Sequence, residues 1–254
     1  MARRRFYAPP AGRAIDGRTL FLAQDEARHL RDVLRLGRGD EVFVFDGEGR
    51  EFRCVVEACG RDGASLKVEE EVAAASPEST LHLTLAVALL KGEKFDLVVQ
   101  KATELGVARI TPVVTKLADV RVRDEADSAR RLERWRRIAL EACKQSGRAR
   151  LPSIDAPLGF ASLVENVSAD AAEWVVMFAE RGGESLGEAV GALSSRPASV
   201  MALVGSEGGW TEEEILLAQD AGWSVVTLGG RTLRAETAAV TVAALLQHAF
   251  GDLV

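Results

Sequence analysis

The sequence predicts an α/β protein in two parts: a small β-rich domain over residues 1–72, a linker over 73–79, and a larger domain over 80–254 built on a parallel sheet. Three observations predict it. Apolar segments of strand length, separated by glycine-containing turns, crowd residues 41–72. The linker is small and polar and contains Pro77. Beyond it, short apolar strands alternate with helical periodicity, and two glycine-rich stretches, Leu203-Val-Gly-Ser-Glu-Gly-Gly-Trp210 and Leu228-Gly-Gly-Arg-Thr-Leu-Arg-Ala-Glu-Thr237, each follow a strand and lead into a helix.

In the first domain, Asp25 is placed to cap a short helix whose Ala27, Leu30, Val33 and Leu34 share a face. Strands follow at 41–45, 51–58 and 64–72, with Asp46-Gly-Glu-Gly49 and Gly60-Arg-Asp-Gly63 as turns. Residues 1–39 carry nine Arg against four acids, a local charge of +5 on a chain whose formal charge is −6. A basic lobe on an acidic protein fits a polyanion such as nucleic acid; solvated surface is the plain alternative. His29 has no His or Cys at ligand spacing, which disfavours a metal role.

In the second domain, residues 81–90 form a buried strand. Phe95, Val98, Val99, Ala102 and Leu105 mark a helix that Gly106 terminates. A strand at 109–115 precedes a helix at 128–143, apolar along Leu132, Trp135, Ile138, Ala139 and Ala142 and arginine-rich on its other side. Strands at 174–178, 200–204 and 223–228 follow. Thr211-Glu-Glu-Glu214 is a capping box. The last helix, 236–250, carries Ala238, Ala239, Ala243 and Ala244, small residues that admit close approach by another segment, a partner subunit included.

Chemistry is first narrowed by what is missing. The three cysteines form no C-x-x-C pair, so disulfide and zinc frameworks are not expected, which suits a reducing, cytoplasmic setting. The basic start has no apolar run after it, so no signal peptide is expected, and no stretch is long enough to span a bilayer. No P-loop, ordered G-x-G-x-x-G, H-E-x-x-H or G-x-S-x-G is present, which disfavours nucleotide hydrolysis, Rossmann oxidoreduction, zinc proteolysis and acyl-enzyme chemistry. Two glycine loops at strand ends suit instead a purine-containing ligand without polyphosphate, held by loop backbone and walled by Leu203, Leu228 and Leu233.

The two glycine stretches, taken with Lys91-Gly-Glu-Lys94, Gln100-Lys-Ala-Thr-Glu-Leu-Gly-Val107, Glu141-Ala-Cys-Lys-Gln-Ser-Gly-Arg148 and His29-Leu-Arg-Asp-Val-Leu-Arg35 followed by Gly39-Asp40, resemble the RsmE family of SPOUT-class methyltransferases over nearly the whole chain. Two departures stand out: that family usually has proline at the positions of Ser206 and, often, Gly230.

The resemblance implies a C-terminal SPOUT domain with a deep trefoil knot, an N-terminal PUA-like RNA-binding β-barrel, S-adenosylmethionine as cofactor, no metal, and a homodimer acting on N3 of a uridine in 16S ribosomal RNA within the small subunit. It further implies cofactor contacts from Phe178, Glu180, Leu203, Gly205, Gly208, Leu228, Gly229, Leu233 and Arg234. Glu207 and Arg234 are the candidate catalytic pair. Glu207 accepts a proton, orients an arginine, or only steadies its loop. Arg234 balances the uridine anion or the cofactor carboxylate. RNA contacts are expected from Arg3, Arg4, Arg28, His29, Arg35, Lys91 and Arg148. Glu236 reads as a first-turn helix acid, and Lys101 with Glu104 as a pair on one helix face. Two other readings stay open: a SPOUT enzyme acting on ribose or another base, and a ribosome-binding protein without catalysis.

Overall fold

The computed structural model describes residues 3–14, 17–167 and 172–253. The chain forms two compact units, one of residues up to Glu78 together with Leu140–Leu151, the other of Ser79–Ala139 and the residues from Pro152 onward. Sequence reading placed 140–151 in the second domain. In the structure this segment has its partners in the first: Cys143 and Ala149 are buried with Phe45, and the Arg5 guanidinium donates to the carbonyl oxygens of Cys143, Lys144 and Arg148 at 2.8, 3.2 and 2.9 Å.

The first unit contains β1 (Arg5–Tyr7), β2 (Thr19–Leu22), helix α1 (Gln24–Arg28), β3 (Glu41–Phe45), β4 (Glu51–Cys59) and β5 (Ala64–Val72). Its sheet runs β1-β3-β4-β5-β2, antiparallel except for the β1–β3 pair. Period-two alternation turns Val42 and Val44 into the core with Phe6, Leu20, Phe52 and Leu66, while Phe43 faces outward beneath the Arg3 guanidinium. Asp46 Oδ1 accepts the backbone N–H groups of Glu48 and Arg50 at 2.8 and 3.1 Å, which closes the β3–β4 turn; Gly47 and Gly49 supply its positive φ angles of +82° and +111°.

Two expectations for the short helix are corrected. Asp25 lies inside α1 and Ala23 is the N-cap, with no side-chain cap bond. After α1 the chain passes into a π-helical turn, His29–Val33, and ends with Arg35 at φ +55°. The wider turn breaks the 3.6-residue spacing. Ala27 and Leu30 stay buried, but Val33 and Leu34 emerge into solvent.

The second unit holds β6 (His82–Ala88), α2 (Lys94–Glu104), β7 (Arg109–Val114), the first part of α3 (Glu125–Ser146), β8 (Ser153–Ile154), β9 (Leu158–Gly159), α4 (Phe160–Asn166), β10 (Trp174–Phe178), β11 (Glu184–Ser185), α5 (Leu186–Gly191), β12 (Ser199–Val204), α6 (Glu212–Asp220), β13 (Ser224–Thr227) and α7 (Ala235–Phe250). Its strands pair in parallel in the order β11-β13-β10-β12-β6-β7-β8, with β9 on β7. Both faces of the sheet are covered, so its central strands are apolar on both sides. Leu83, Leu85, Val87, Val176 and Ala202 pack toward α2 and α7, whereas Ala86, Met177, Met201 and Leu203 pack with Phe160, Leu163 and Ala218.

Helix α2 buries the expected Phe95, Val98, Val99 and Ala102, and Phe95 meets the Trp135 ring at 4.5 Å. Helix α3 starts at Glu125 rather than 128, because Asp124 Oδ1 accepts the Asp127 N–H at 2.7 Å in the manner of an N-cap. On α7, Ala239 and Ala243 are buried inside the unit, so these two small residues let α7 approach its own core rather than another chain.

Candidate active site

Strand order places the site. Successive strands β12 and β13 lie on opposite sides of β10, so connections leave this part of the sheet in opposite directions. Ligands of open parallel sheets collect at such a switch point, beyond the carboxyl ends of the strands. Three loops meet there: 179–183 after β10, 205–211 after β12 and 228–234 after β13. Together they line a cleft that is partly open to solvent, the concave kind of place small-molecule ligands occupy.

Of the expected cofactor residues, Phe178, Glu180, Gly205, Leu228, Gly229 and Leu233 line this cleft. Gly229 holds φ +98°, a backbone conformation that a side chain would strain. Gly205 sits in a tight place: a Cβ there would lie 3.1 Å from Trp210 Nε1. That indole N–H donates to the Phe178 carbonyl at 2.9 Å and joins the first glycine loop to the end of β10.

Leu203, Gly208 and Arg234 do not line the cleft. Strand alternation turns Leu203 to the opposite sheet face from Val204, where it is fully buried with Met177 and Phe160. Gly208 faces the loop after β7, and a Cβ on it would come within 2.9 Å of both Leu117 Cβ and the Leu117 carbonyl oxygen. Arg234 is the exposed N-cap of α7 and has no ion-pair partner among the described residues.

Glu207 is held from outside the cleft. Lys94 Nζ donates to its Oε1 at 2.8 Å and lies 3.8 Å from Glu236 Oε2. Burial raises the Glu207 pKa, but the Lys94 hydrogen bond, the backbone bonds and the lysine charge outweigh it and hold the carboxyl below the usual glutamate range. Behind it, Thr211 and Glu214 make the expected capping box, and Glu214 Oε1 also accepts the Lys116 N–H at 2.8 Å, anchoring the loop that Gly208 touches.

Sequence reasoning missed several cleft residues. Ser206, Trp210 and Arg231 lie within the quoted glycine stretches, but only the fold shows that they line the cleft. Ala238 lies three residues beyond Ala235 on α7, so the two share one face of that helix, and both line the cleft. Lys94 stands in a quoted motif, yet its distance from Glu207 along the chain hides the pairing.

The candidate RNA residues divide. Arg4, Arg28, His29 and Arg35 are exposed, with the His29 ring edge-on to Phe6. Arg3 donates to Glu51, a fully buried carboxylate that Arg5 also holds. Lys91 is exposed and paired with Asp119 at 2.7 Å. Arg148 is corrected: it is 4% exposed and bonded to Glu78 Oε2 at 2.7 Å, a structural ion pair with no surface to offer RNA. Among the described residues no cluster of His, Cys, Asp or Glu could hold a metal ion, and no helix is long and apolar enough to cross a membrane.

A family model of the RNA methyltransferase domain matches residues 77–247, and one of the RNA methyltransferase PUA domain matches 22–69. A ribosomal RNA small subunit methyltransferase E from Synechocystis is 36% identical over 220 residues, which cover 87% of this chain and 70% of the relative. The protein of that name from Mycobacterium tuberculosis is 34% identical, over 85% of this chain and 80% of its own. This chain belongs to the ribosomal RNA small subunit methyltransferase E family. The crystal structure of the family member from Neisseria gonorrhoeae bound to S-adenosyl methionine superposes with a TM-score of 0.86 at 31% identity, covering all of both chains. Its fold class is thereby shown: a SPOUT methyltransferase domain with a parallel sheet, preceded by a PUA-like domain. Family members thus share the sheet whose switch point makes the cleft described above, and the donor set there fits a nucleoside cofactor: apolar walls from Val204, Leu228, Leu233 and Ala238, with Glu180, Thr227 and Arg231 as polar groups.

Proposed function

We propose that this protein uses S-adenosylmethionine to methylate N3 of a uridine in 16S ribosomal RNA of the small subunit. The observation that carries the proposal is the three-loop cleft at the switch point, in a chain that matches a cofactor-bound family member from end to end. The cofactor would supply a methyl group already activated on its sulfonium, so no metal is needed. Phe178, Gly205, Leu228, Gly229 and Leu233 would hold its nucleoside, with Glu180 and Arg231 available to its polar groups.

The chain's remaining task is to position the uridine and manage its proton. Uridine N3 carries a proton at neutral pH and becomes nucleophilic when that proton leaves. Glu207, kept ionised beside Lys94, is the proposed acceptor, and the exposed Arg234 guanidinium balances the charge left on the base. Extrusion of the base from its stack would be required for access. Arg4, Arg28, His29 and Arg35 are the proposed RNA contacts of the first unit. The family resemblance supports a homodimer, a knotted C-terminal segment and a place in the cytoplasm, where ribosomal subunits are found.

The test incubates the protein and labelled S-adenosylmethionine with small subunits from cells that lack the protein, and identifies the labelled nucleoside. N3-methyluridine is expected. Label on ribose or on another base would replace the substrate, and cofactor binding without any transfer would replace catalysis by a binding role.

A further inference from the structure

Helix α3 and the segment leading into it carry charge that the protein does not balance. Residues 121–137 hold seven Arg against four acids, a local net of +3 in a chain whose formal charge is −6. An exposed helix commonly offsets such a run with opposite charges three or four residues away. Here one carboxylate is shared too widely for that. Asp127 is buried, and Arg123, Arg130 and Arg131 all turn to it, with N···O distances of 3.7, 3.8 and 3.3 Å. Further along the helix, Arg137 is exposed and has no ion-pair partner among the described residues.

Helical spacing gathers part of this charge into a stripe. At 3.6 residues per turn, Arg130, Arg134 and Arg137 stand at i, i+4 and i+7 on one face of α3, about 10 Å from end to end. The Arg134 guanidinium donates to Asp96 on the first turn of α2. Two residues before Asp96, Lys94 donates to Glu207 in the first glycine loop at 2.8 Å. The stripe is thus fastened to the same helical turn that holds a loop of the cleft.

We infer that Arg130, Arg134 and Arg137 of α3 bind the phosphate backbone of the RNA substrate beside the cleft. The inference rests on the reading that this protein acts on RNA. Guanidinium forks match phosphate oxygens in bidentate geometry. Phosphates would supply the counter-charge that the arginines around Asp127 lack. Such contacts carry no base information; they fix the strand while the base is presented to the cleft. A merely solvated face makes the opposite forecast, that one exposed arginine is as dispensable as the next. Arg136 and Arg137 separate the two readings. They are adjacent, exposed and without ion-pair partners among the described residues, yet they point about 100° apart around the helix.

The experiment measures binding to small subunits from cells that lack the protein, over a series of salt concentrations. It compares wild type with Arg136→Gln, Arg137→Gln, Arg137→Lys and the double variant Arg130→Gln/Arg137→Gln. The double variant should bind about 5–30-fold more weakly at low salt, and its slope of log K against log salt should be shallower by about 1–2. Arg137→Gln should show part of this loss, Arg137→Lys should keep the wild-type slope, and Arg136→Gln should stay near wild type. Unfolding temperature and affinity for S-adenosylmethionine should not move in any variant, and the double variant should raise KM for subunits without lowering kcat. Equal losses in Arg136→Gln and Arg137→Gln would overturn the inference in favour of diffuse attraction. A double variant with wild-type affinity and slope would overturn it while leaving the methyl-transfer reading intact. Binding needs no turnover, so the expected pattern in a protein that transfers no methyl group would sink the catalytic reading and leave the stripe's role standing.

Discussion

The Lys94 ammonium donates to Glu207 at 2.8 Å and thereby ties the first turn of α2 to the first glycine loop. A lysine at the start of a helix faces the positive end of the helix dipole, an unfavourable place for it. The partner carboxylate compensates locally, and Glu236 on the first turn of α7 stands 3.8 Å from the same ammonium. Three elements around the cleft thus share one cation.

Removing that cation should act on Glu207 and not only on the surface. Lys94→Met and Glu207→Gln, alone and together, should show a coupling of about 0.5–1 kcal/mol in urea unfolding at pH 7, the scale of a partly exposed pair. Because Glu207 titrates below its ordinary value of 4.5, the coupling is full above that value and disappears as the pH falls through the depressed one. A coupling that never declines as the pH is lowered below 4.5 toward acid unfolding would contradict the ion pair.

Gly208 is a second sensitive point. An added Cβ would meet the Leu117 backbone oxygen at 2.9 Å, so the loop after β7 must move. Gly208→Ala should cost about 1–3 kcal/mol, measured by denaturant unfolding. Leu117→Ala should not relieve it, since the clashing carbonyl remains; full rescue would place the strain elsewhere.

Glu214 serves two backbone donors at once, the Thr211 N–H at 3.0 Å and the Lys116 N–H at 2.8 Å, from a buried position. Glu214→Ala leaves both without their acceptor. A loss of about 2–3 kcal/mol is expected, along with faster amide exchange at Lys116 by mass spectrometry. Loss of stability with Lys116 exchange unchanged would refute the anchoring role.

Thiol chemistry should separate the cysteines. Burial pushes Cys54 up to about 12 and Cys143 up to about 11, so neither forms thiolate at ordinary pH. Cys59 is the half-exposed one. Iodoacetamide at pH 8 should modify Cys59 in the folded protein and all three in urea, as read by intact mass. Native labelling of Cys143 at the rate of Cys59 would mean that its surroundings open.

Local chemistry made much of this legible from sequence. The Thr211–Glu214 capping box, the α2 face ending at Gly106 and the Asp46–Gly49 turn follow rules that span only a few residues. Of the six expected residues that line the cleft, Gly205, Leu228, Gly229 and Leu233 lie in the two glycine stretches, while Phe178 and Glu180 lie outside them and rested on the family resemblance. What escaped depends on distance or on a small change of phase. Leu203 and Val204 are neighbours, and only sheet packing decides which faces the core. Arg148 reads as a surface charge until Glu78 is brought beside it. The α1 helix fits a 3.6-residue pattern until the π turn spoils it, and β1 and β2 are too short for periodicity to register.

The first unit's dependence on Leu140–Leu151 also orders events in time. During synthesis, Arg5 and Glu78 leave the ribosome well before the carbonyls of Cys143 and Lys144 and the guanidinium of Arg148 that they will bind. At ~5–20 residues per second the wait between Phe45 and Ala149 is on the order of 5–20 s. For that interval Phe45 lacks the Cys143 and Ala149 that cover it, so the N-terminal sheet is born with one wall open and closes it late. A nascent chain stalled shortly after Glu78 should therefore show proteolysis near Phe45 that a chain released beyond Leu151 does not.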